Sequence, residues 1–360
     1  MSEPARARPL SLGSAGTLTL VLLVAWILVG LVSLGLGAVH LPADKIAGAI
    51  LAKVPLPGFA AWAPDWPASY DVILFRIRLP RVILAGLVGA SLALAGTVMQ
   101  GLFRNPMADP YVLGTSSGAA LGAVLALVLP LDVSLFGLRT LPLVAFAGAL
   151  GTTALVYAVA RVPGGMPTAT LLLAGIAVSS FLSALVSLVL VFNEQSVANV
   201  LYWLMGGLSR ADWTGVALVL PYVLAGAAVA LACGRRLNAL LLGEEAAWHL
   251  GIDVERMKRL LLFATALLTA AAVAVSGVIG FVGLVVPHMT RLVVGPDHRR
   301  LVPAAALVGA IFLTTVDAVA RTALGATEIP AGAITAILGG PFFLFLLRRR
   351  RREHGGSRAV

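Results

Sequence analysis

Long runs of apolar residues alternate with short polar connections along almost the whole chain. A membrane-spanning helix needs about 20 consecutive, mostly apolar residues, and ten runs approach or reach that length. The first two cover residues 18–39 and 82–103, and the third follows the loop 104–110 and ends near Pro130. The other seven cover residues 141–160, 171–192, 216–233, 260–278, 281–294, 302–320 and 330–347. The pattern predicts an all-α polytopic membrane protein with about ten transmembrane helices.

Two parts of this pattern are interrupted. Residues 196–206 are too few to cross a membrane, so they predict a half-helix that stops at Gly206-Gly207. Three glycines break the apolar run between the seventh and eighth spans, namely Gly277, Gly280 and Gly283. Broken helices at membrane depth are tolerated only where protein or a cavity surrounds them. We therefore expect these breaks to lie inside the protein.

One polar stretch between spans, residues 235–259, is more patterned than a simple linker and is called the charged loop below. It holds nine charged residues in a chain where charge is scarce. Three leucines precede Gly243, a helix-stop residue, and two glutamates then begin a second short helical pattern, residues 246–250, which Gly251 ends. Two short helices with a glycine corner indicate either a docking element for a soluble partner or an ordinary cytoplasmic loop with interfacial helices.

Composition supports a membrane protein and argues against a nucleic-acid-binding one. Of 360 residues, 59% are hydrophobic and 12% charged, which is about half the charge of soluble domains. The net charge of +10 comes from arginines in short loops beside apolar runs, a distribution that follows membrane orientation rather than a basic binding face. The one cysteine, Cys233, excludes an intrachain disulfide.

The arginine distribution also predicts the orientation, because short cytoplasmic loops collect positive charge. Ten crossings place both termini on one side. The cations on that side are Arg6, Arg8, Arg104, Arg161, Arg235, Arg236, Arg256, Lys258, Arg259, Arg299, Arg300 and Arg348 to Arg352. The cations on the other side are fewer: Lys45, Lys53, Arg76, Arg78, Arg81, Arg139, Arg210 and Arg321. The first side, with both termini and the charged loop, is therefore predicted to be cytoplasmic.

The long outer segment, residues 40–71, carries aromatic residues suited to a membrane interface: Trp62, Trp66 and Tyr70.

Little in the sequence points to catalysis. It contains no GxxxxGK[ST] nucleotide loop, no HExxH and no paired Cys-His spacing, so we expect no catalytic and no metal-binding residues. Asp317, four residues before Arg321 on one helical face, predicts a structural ion pair. The scarcity of other carboxylates within the spans argues against a proton-coupled carrier.

Motifs from the second span to the end of the chain resemble, in order, those of permeases of ATP-driven iron-chelate and cobalamin importers, the FecCD-like type II ABC importers. The matching motifs are RLPR (78–81), GASLALAG (89–96), MQGLFRNPMADPYVLGTSSGAALG (99–122), LLLAGIAVSS (171–180), YWLMGGLSRADW (202–213), LLLGEEAAWHLGID (240–253), GVIGFVGLVVPHMTRLVVGPDHR (277–299) and EIPAGAITAILGGPFF (328–343). The first 70 residues carry no such motif.

The resemblance implies one transmembrane permease domain over residues 1–360, with ten helices and a short periplasmic half-helix. Two identical subunits would surround a central path in the plasma (inner) membrane, in contact with lipid. Two ATPase subunits would bind on the cytoplasmic side and hold the ATP and Mg²⁺, so this chain would bind no cofactor and catalyse no reaction itself. A periplasmic or lipid-anchored binding protein would deliver the substrate.

The resemblance also implies three groups of functional residues. The coupling loop would cover about residues 236–256, with these residues in contact with the ATPase: Leu240, Leu241, Leu242, Gly243, Glu244, Glu245, Leu250 and Gly251. The binding protein would dock on Arg78, Arg81 and Arg321, for which snorkelling at the membrane surface is the alternative. The cytoplasmic gate would comprise Asn105, Met107 and Thr168, for which a plain turn is the alternative.

The function implied is import of a metal chelate, a ferric siderophore or haem, by alternating access, with cobalamin as an alternative for the same machinery. The fifth and tenth spans and the half-helix would line the path. A stand-alone secondary carrier or channel is an alternative of a different class. A receptor or membrane enzyme is favoured only by the long outer segment.

Overall fold

A computed structural model describes residues 15–37, 39–53, 65–129, 140–162, 165–325 and 327–355. The predicted cytoplasmic residues Arg6 and Arg8 and the predicted outer residues Trp62 and Arg139 lie outside these ranges. Within them the chain is built from α-helices joined by short connections.

The described residues form fifteen α-helices. They are α1 (Ala15–Gly35), α2 (Ala43–Ala52), α3 (Ala68–Val72), α4 (Leu79–Leu102), α5 (Thr115–Val128), α6 (Thr140–Ala160), α7 (Thr168–Val191), α8 (Val197–Leu204), α9 (Trp213–Ala232), α10 (Gly234–Leu240), α11 (Glu244–His249), α12 (Val254–Ser276), α13 (Val282–Val294), α14 (His298–Thr322) and α15 (Ala331–Gly355). A π-helical segment, Ile73–Arg78, joins α3 to α4, and a 3₁₀ turn, Pro110–Leu113, precedes α5.

The described residues supply ten candidate crossings, the number that the sequence predicts. Seven helical segments in the described residues have the length and composition of a membrane span, counting Ala68–Leu102 as one, and three shorter apolar helices, Thr115–Val128, Val282–Val294 and Ala331–Phe345, bring the total to ten. The half-helix is present as α8, which ends just before Gly206.

Two boundaries differ from the sequence prediction. The second span was expected to begin near Val82, yet one continuous helical segment runs from Ala68 through the π-helical turn into α4. Pro80 is the second residue of α4 and directly follows the π-helical turn, so the continuous segment changes from π-helix to α-helix next to this proline. Gly283 was expected to break a helix but lies within α13, where it permits close helix packing instead.

Helix α4 lies at the centre of the bundle and packs against α9, α12, α13 and α14. Glycines allow these backbones to approach closely. A Cβ atom on Gly89 would collide with the carbonyl of Gly309 in α14, and one on Gly96 with the carbonyl of Gly283 in α13. The small-residue spacing of the second span therefore serves tight packing within the protomer.

The breaks in three helices meet at one place. The N–H of Gly207, after α8, donates to the carbonyl of Ser276 at the end of α12 (2.7 Å), and the N–H of Gly332, in the first turn of α15, donates to the carbonyl of Gly206 (3.1 Å). These bonds satisfy main-chain groups that the bilayer core would leave unpaired. The expectation that the broken helices lie inside protein is confirmed.

Candidate coupling and docking sites

The charged loop folds as two short helices, α10 and α11, at a sharp corner. Gly243 forms the corner with φ +120° and ψ 155°, a conformation essentially restricted to glycine. Leu237 and Leu240 of α10 and Ala247 of α11 are fully buried and attach the loop to the helical bundle. Gly251, at φ +80°, follows the end of α11 as predicted.

The outer surface of this corner is apolar. The side chains that project from it belong to Leu241, Leu242, Trp248 and Leu250, with exposed fractions of 39% to 73%. A cluster of exposed apolar residues on a polar loop is typical of a protein interaction surface. Four of the predicted coupling residues, Leu241, Leu242, Gly243 and Leu250, lie at this surface, whereas Leu240 is buried beneath it.

A buried lysine fixes the start of α11. Nζ of Lys258, in α12, lies 2.7 Å from Oε2 of Glu244 and 3.4 Å from Oε1 of Glu255. The Lys258 side chain is only 7% exposed, whereas both carboxylates are about 40% exposed. Glu244 therefore anchors the loop, and Glu245 adds a second negative charge to the first turn of α11, where the helix dipole favours it. Sequence reasoning did not single out Lys258, although the Glu255 to Lys258 spacing is typical of a helical ion pair.

A second attachment joins the charged loop to α14. The side-chain amide of Asn238, in α10, donates to Oδ1 of Asp297 (2.6 Å), and its Oδ1 accepts the main-chain N–H of His298 (2.9 Å). Asp297 also caps the start of α14 by accepting the N–H of Arg299. Burial opposes ionisation of Asp297, but these hydrogen bonds and the neighbouring Arg299 and Arg300 lower its pKa overall. The position of α10 is therefore tied directly to the first turn of α14.

The other end of α14 holds a buried charge cluster. Asp317, 1% exposed, is shared by Arg81 of α4, whose Nη2 lies 2.9 Å from Oδ1, and by Arg321, whose Nε lies 3.2 Å from Oδ2. Nη1 of Arg81 also lies 2.9 Å from Oε1 of Glu328. The predicted pair of Asp317 and Arg321 is confirmed, and Arg81 and Glu328 are additional members that spacing along one helix did not indicate.

Arg78 lies near this cluster but has different partners. Its guanidinium donates to the main-chain carbonyls of Leu34 (2.7 Å) and Val39, at and beyond the end of α1. Arg321 reaches the same end of α1 through the hydroxyl of Ser33 (2.6 Å). The three predicted docking arginines are thus brought together around the ends of α1 and α14, where each is less than 10% exposed rather than extended towards water. Their docking role stays a prediction.

The predicted gate residues lie in, or directly after, two connections next to the charged loop. Asn105 and Met107 follow α4, where Oδ1 of Asn105 accepts the N–H of Met107 (3.0 Å) in a turn. Arg104, in the same connection, approaches Gly243, and Gly165, three residues before Thr168, lies against Glu255. Thr168 is the first residue of α7. Because one protomer does not show contacts across a twofold axis, the gate role stays a prediction.

The model of the FecCD transport family matches residues 22–349 of this chain. The chain belongs to the FecCD transport family. Its members are transport permeases rather than enzymes, and this FecCD protein is a multi-pass integral membrane permease of an ABC importer of the vitamin B12, haem or iron-chelate class.

Curated relatives of this FecCD protein carry out related transport. It is 54% identical over 282 residues to the cobalamin import system permease protein BtuC of Halobacterium salinarum, covering 78% of this chain and 75% of the relative. It is 42% identical over 337 residues to the hemin transport system permease protein HmuU of Yersinia pestis, covering 93% and 98%. It is 38% identical over 298 residues to the Fe(3+) dicitrate permease FecD of Escherichia coli, covering 82% and 92%.

A solved inward-facing structure, described as a candidate metal-chelate type ABC transporter, has the same fold. It superposes on the FecCD protein with a TM-score of 0.78 at 33% identity, covering 93% of this chain and 99% of the solved one. The predicted importer permease fold is confirmed.

A cleft of about 600 Å³ opens between α4, α6, α8, α9 and α12 of the FecCD protein. Tyr202 and Trp203 of α8 and the polar residues Ser209, Arg210 and Asp212 contribute to its lining. The cleft shares α8 with the path that the family resemblance implies, but no described residue of α7 or α15 lines it. Among the described residues, no three His, Cys, Asp or Glu side chains are grouped as a metal site would require.

Proposed function

We propose that this chain is the permease subunit of an ABC importer that moves a metal chelate, a ferric siderophore or haem, into the cytoplasm by alternating access. The observation that carries the proposal is the position of two candidate interaction sites at opposite ends of α14. The charged loop is bonded to the first turn, and the arginine cluster surrounds the last turns. A helix of 25 residues spans about 37 Å, so these sites suit partners on opposite sides of a membrane.

The cytoplasmic partner in this proposal is a pair of ATPase subunits, since the chain itself has no nucleotide loop. The exposed apolar side chains of Leu242, Trp248 and Leu250 would enter a cleft of the ATPase. Because Lys258 holds Glu244 and Asn238 holds Asp297, a push on the loop would be transmitted to α12 and α14 rather than absorbed by local bending.

The cytoplasmic gate would open in response to the same push. The connection that carries Asn105 and Met107 adjoins the charged loop through Arg104, and the connection that leads to Thr168 adjoins it through Gly165. In a dimer these residues would meet across the twofold axis and separate when the loops move. Small polar and flexible apolar side chains allow such contacts to form and break repeatedly.

The translocation path in this proposal lies between two copies of the chain. Its lining would come from α7, α15 and the half-helix α8, and α7 and α15 carry large apolar side chains on the protomer surface, among them Leu173, Ile176, Ile337 and Leu338. A mostly apolar lining offers a large chelate few specific bonds, which suits rapid passage. The outer arginines would receive the binding protein, and the chain would lie in the inner membrane with both termini in the cytoplasm.

Cobalamin is the second candidate substrate, favoured by one observation. The cobalamin permease of Halobacterium salinarum shares 54% of aligned residues with this chain, compared with 42% for the hemin permease. Siderophores, haem and cobalamin are all bulky chelates, so the same path would admit each of them, and selection would lie with the binding protein.

Transport by the reconstituted complex tests the proposal. The permease, its ATPase and its binding protein are placed in proteoliposomes with a ferric siderophore, haem or cobalamin as labelled ligand. We expect uptake only with ATP and the binding protein, and only for the chelate that this binding protein retains. Uptake without ATP would instead establish a secondary carrier, and no uptake of any chelate under all conditions would favour a receptor.

A further inference from the structure

The three arginines at the outer end of α14 are already occupied in the free protomer. Arg78 donates to carbonyls at and beyond the end of α1, and Arg321 donates to Ser33 and pairs with Asp317. Arg81 pairs with Asp317 and Glu328. A partner that binds these guanidinium groups must therefore replace an acceptor that is present.

Among these acceptors in the described residues, Glu328 is the most easily replaced. Asp317 is 1% exposed and is held by two arginines at once, and the carbonyls belong to the main chain. The Glu328 side chain is 37% exposed and lies in the non-helical connection between α14 and α15. It can rotate towards water without disrupting a helix, whereas removal of Asp317 would leave buried positive charge unpaired.

The charge balance favours an incoming carboxylate once Glu328 moves away. The three guanidinium groups and the two carboxylates of Asp317 and Glu328 have a formal sum of +1 (three minus two). Without Glu328 the sum is +2 (three minus one). The Nη1 group of Arg81, which now lies 2.9 Å from Glu328, would then be free to donate to another carboxylate.

We infer that Glu328 holds Arg81 in the free transporter and that an acidic side chain of the substrate-binding protein displaces it when the two proteins dock. Glu328 thus competes with the partner for one guanidinium group and weakens docking until a correctly placed carboxylate arrives. This exchange rests on the proposed docking of a binding protein at the arginine cluster. The exchange goes beyond that docking proposal by identifying the Glu328 carboxylate as the group that must leave Arg81.

Binding kinetics of the permease–ATPase complex in lipid nanodiscs test this exchange. Chelate-loaded binding protein is applied to wild type, Glu328→Gln and Glu328→Ala, with Glu194→Gln as a matched control that removes an exposed carboxylate from the connection before α8. We expect both Glu328 variants to bind roughly threefold more tightly, mainly through faster association, because the partly exposed Glu328 carboxylate forms only a weak ion pair with Arg81. The control variant should bind as wild type does.

A double-variant cycle separates the exchange from the docking proposal itself. Arg81→Gln should weaken binding, and Glu328→Gln combined with Arg81→Gln should show no gain over Arg81→Gln alone. If Arg81→Gln weakens binding while the Glu328 variants match wild type or bind more weakly, the exchange is overturned and docking at the arginines stands. If substitution of Arg78, Arg81 and Arg321 leaves binding unchanged, the docking proposal itself fails.

Discussion

Gly243 determines the shape of the charged loop. Its conformation lies in a region that side chains with a Cβ atom avoid, at a cost of about 1–3 kcal/mol. Gly243→Ala should therefore change the angle between α10 and α11 and shift the apolar surface that Leu242 and Trp248 present. We expect ATP-driven uptake to fall several-fold, whereas expression and the amount of folded permease stay unchanged.

Gly151→Ala in α6 is the matched control for this substitution, because no atom beyond the neighbouring backbone of α6 lies within 4 Å of the position where its Cβ would be. Uptake and ATPase activity are measured in the same proteoliposomes for both variants. Normal uptake by Gly243→Ala would show that the corner geometry does not couple ATP hydrolysis to chelate uptake.

Lys258 is the residue that fixes α11 against α12. Lys258→Met keeps the bulk of the side chain but loses the bonds to Glu244 and Glu255. Since both carboxylates are about 40% exposed, the global stability lost should stay within about 1 kcal/mol. We expect the ATPase to become less responsive to the loaded binding protein, measured as the ratio of stimulated to basal hydrolysis. Arg259→Met, which removes an exposed cation from the same helix outside the predicted coupling loop, should leave this ratio unchanged.

Residue roles could be read from the sequence only where the partners are close along the chain. The pairing of Asp317 with Arg321 follows from a spacing of four residues on one helix. Arg81 binds the same carboxylate, but it is 236 residues away from Asp317 along the chain. Asn238 and Asp297, which are also hydrogen-bonded, are 59 residues apart. No local pattern specifies such contacts, because they depend on which helices pack together.

At the scale of elements, α10 and α14 are joined by Asn238. Asn238→Ala removes the side-chain bonds to Asp297 and His298 at the start of α14 and leaves the main-chain N–H of the buried His298 without its acceptor, at a cost of about 1–3 kcal/mol. We expect the charged loop to move without α14, so that ATP hydrolysis continues while chelate uptake falls. The readout is the number of chelate molecules imported per ATP hydrolysed.

Asn193→Ala provides the comparison for this variant. The side-chain amide of Asn193 donates to the carbonyl of Val189 in the last turn of α7. Asn193 is far from the charged loop along the chain. Equal import per ATP in Asn238→Ala and wild type would show that α14 is not driven through this contact.

The presence of the spanning helices could be predicted from the length of the apolar runs, but some helix boundaries could not. The second span was expected to begin after the arginines, because charged residues normally mark the membrane surface. Here Arg78 and Arg81 lie within a continuous helical segment because buried carbonyls and Asp317 accept their hydrogen bonds. Gly283 was expected to break the apolar run because glycine usually disfavours helices, but it lies within α13, where the carbonyl of Leu92 in α4 leaves little room for a Cβ atom.

For the whole molecule, the orientation in the membrane is the prediction on which both docking sites depend. The buried Cys233 is replaced by alanine, and single cysteines are introduced at Leu242 and at Glu194. In intact spheroplasts, a membrane-impermeant maleimide should label Glu194→Cys at once and Leu242→Cys only after permeabilisation. The reverse pattern would place the charged loop outside the cell and contradict the proposed contact with an ATPase.

The length of α14 has a consequence for the lipid that surrounds the transporter. At about 37 Å, the helix exceeds a hydrocarbon layer of about 30 Å by only one turn or so. Asp297 and Asp317 are 20 residues apart, or about 30 Å, so the clusters around them would lie close to the lipid headgroups on the two sides. Lipids with longer acyl chains would cover one cluster with hydrocarbon or tilt the helix to prevent this. Transport in vesicles of increasing acyl-chain length should pass through a maximum, so membrane thickness itself would tune the importer.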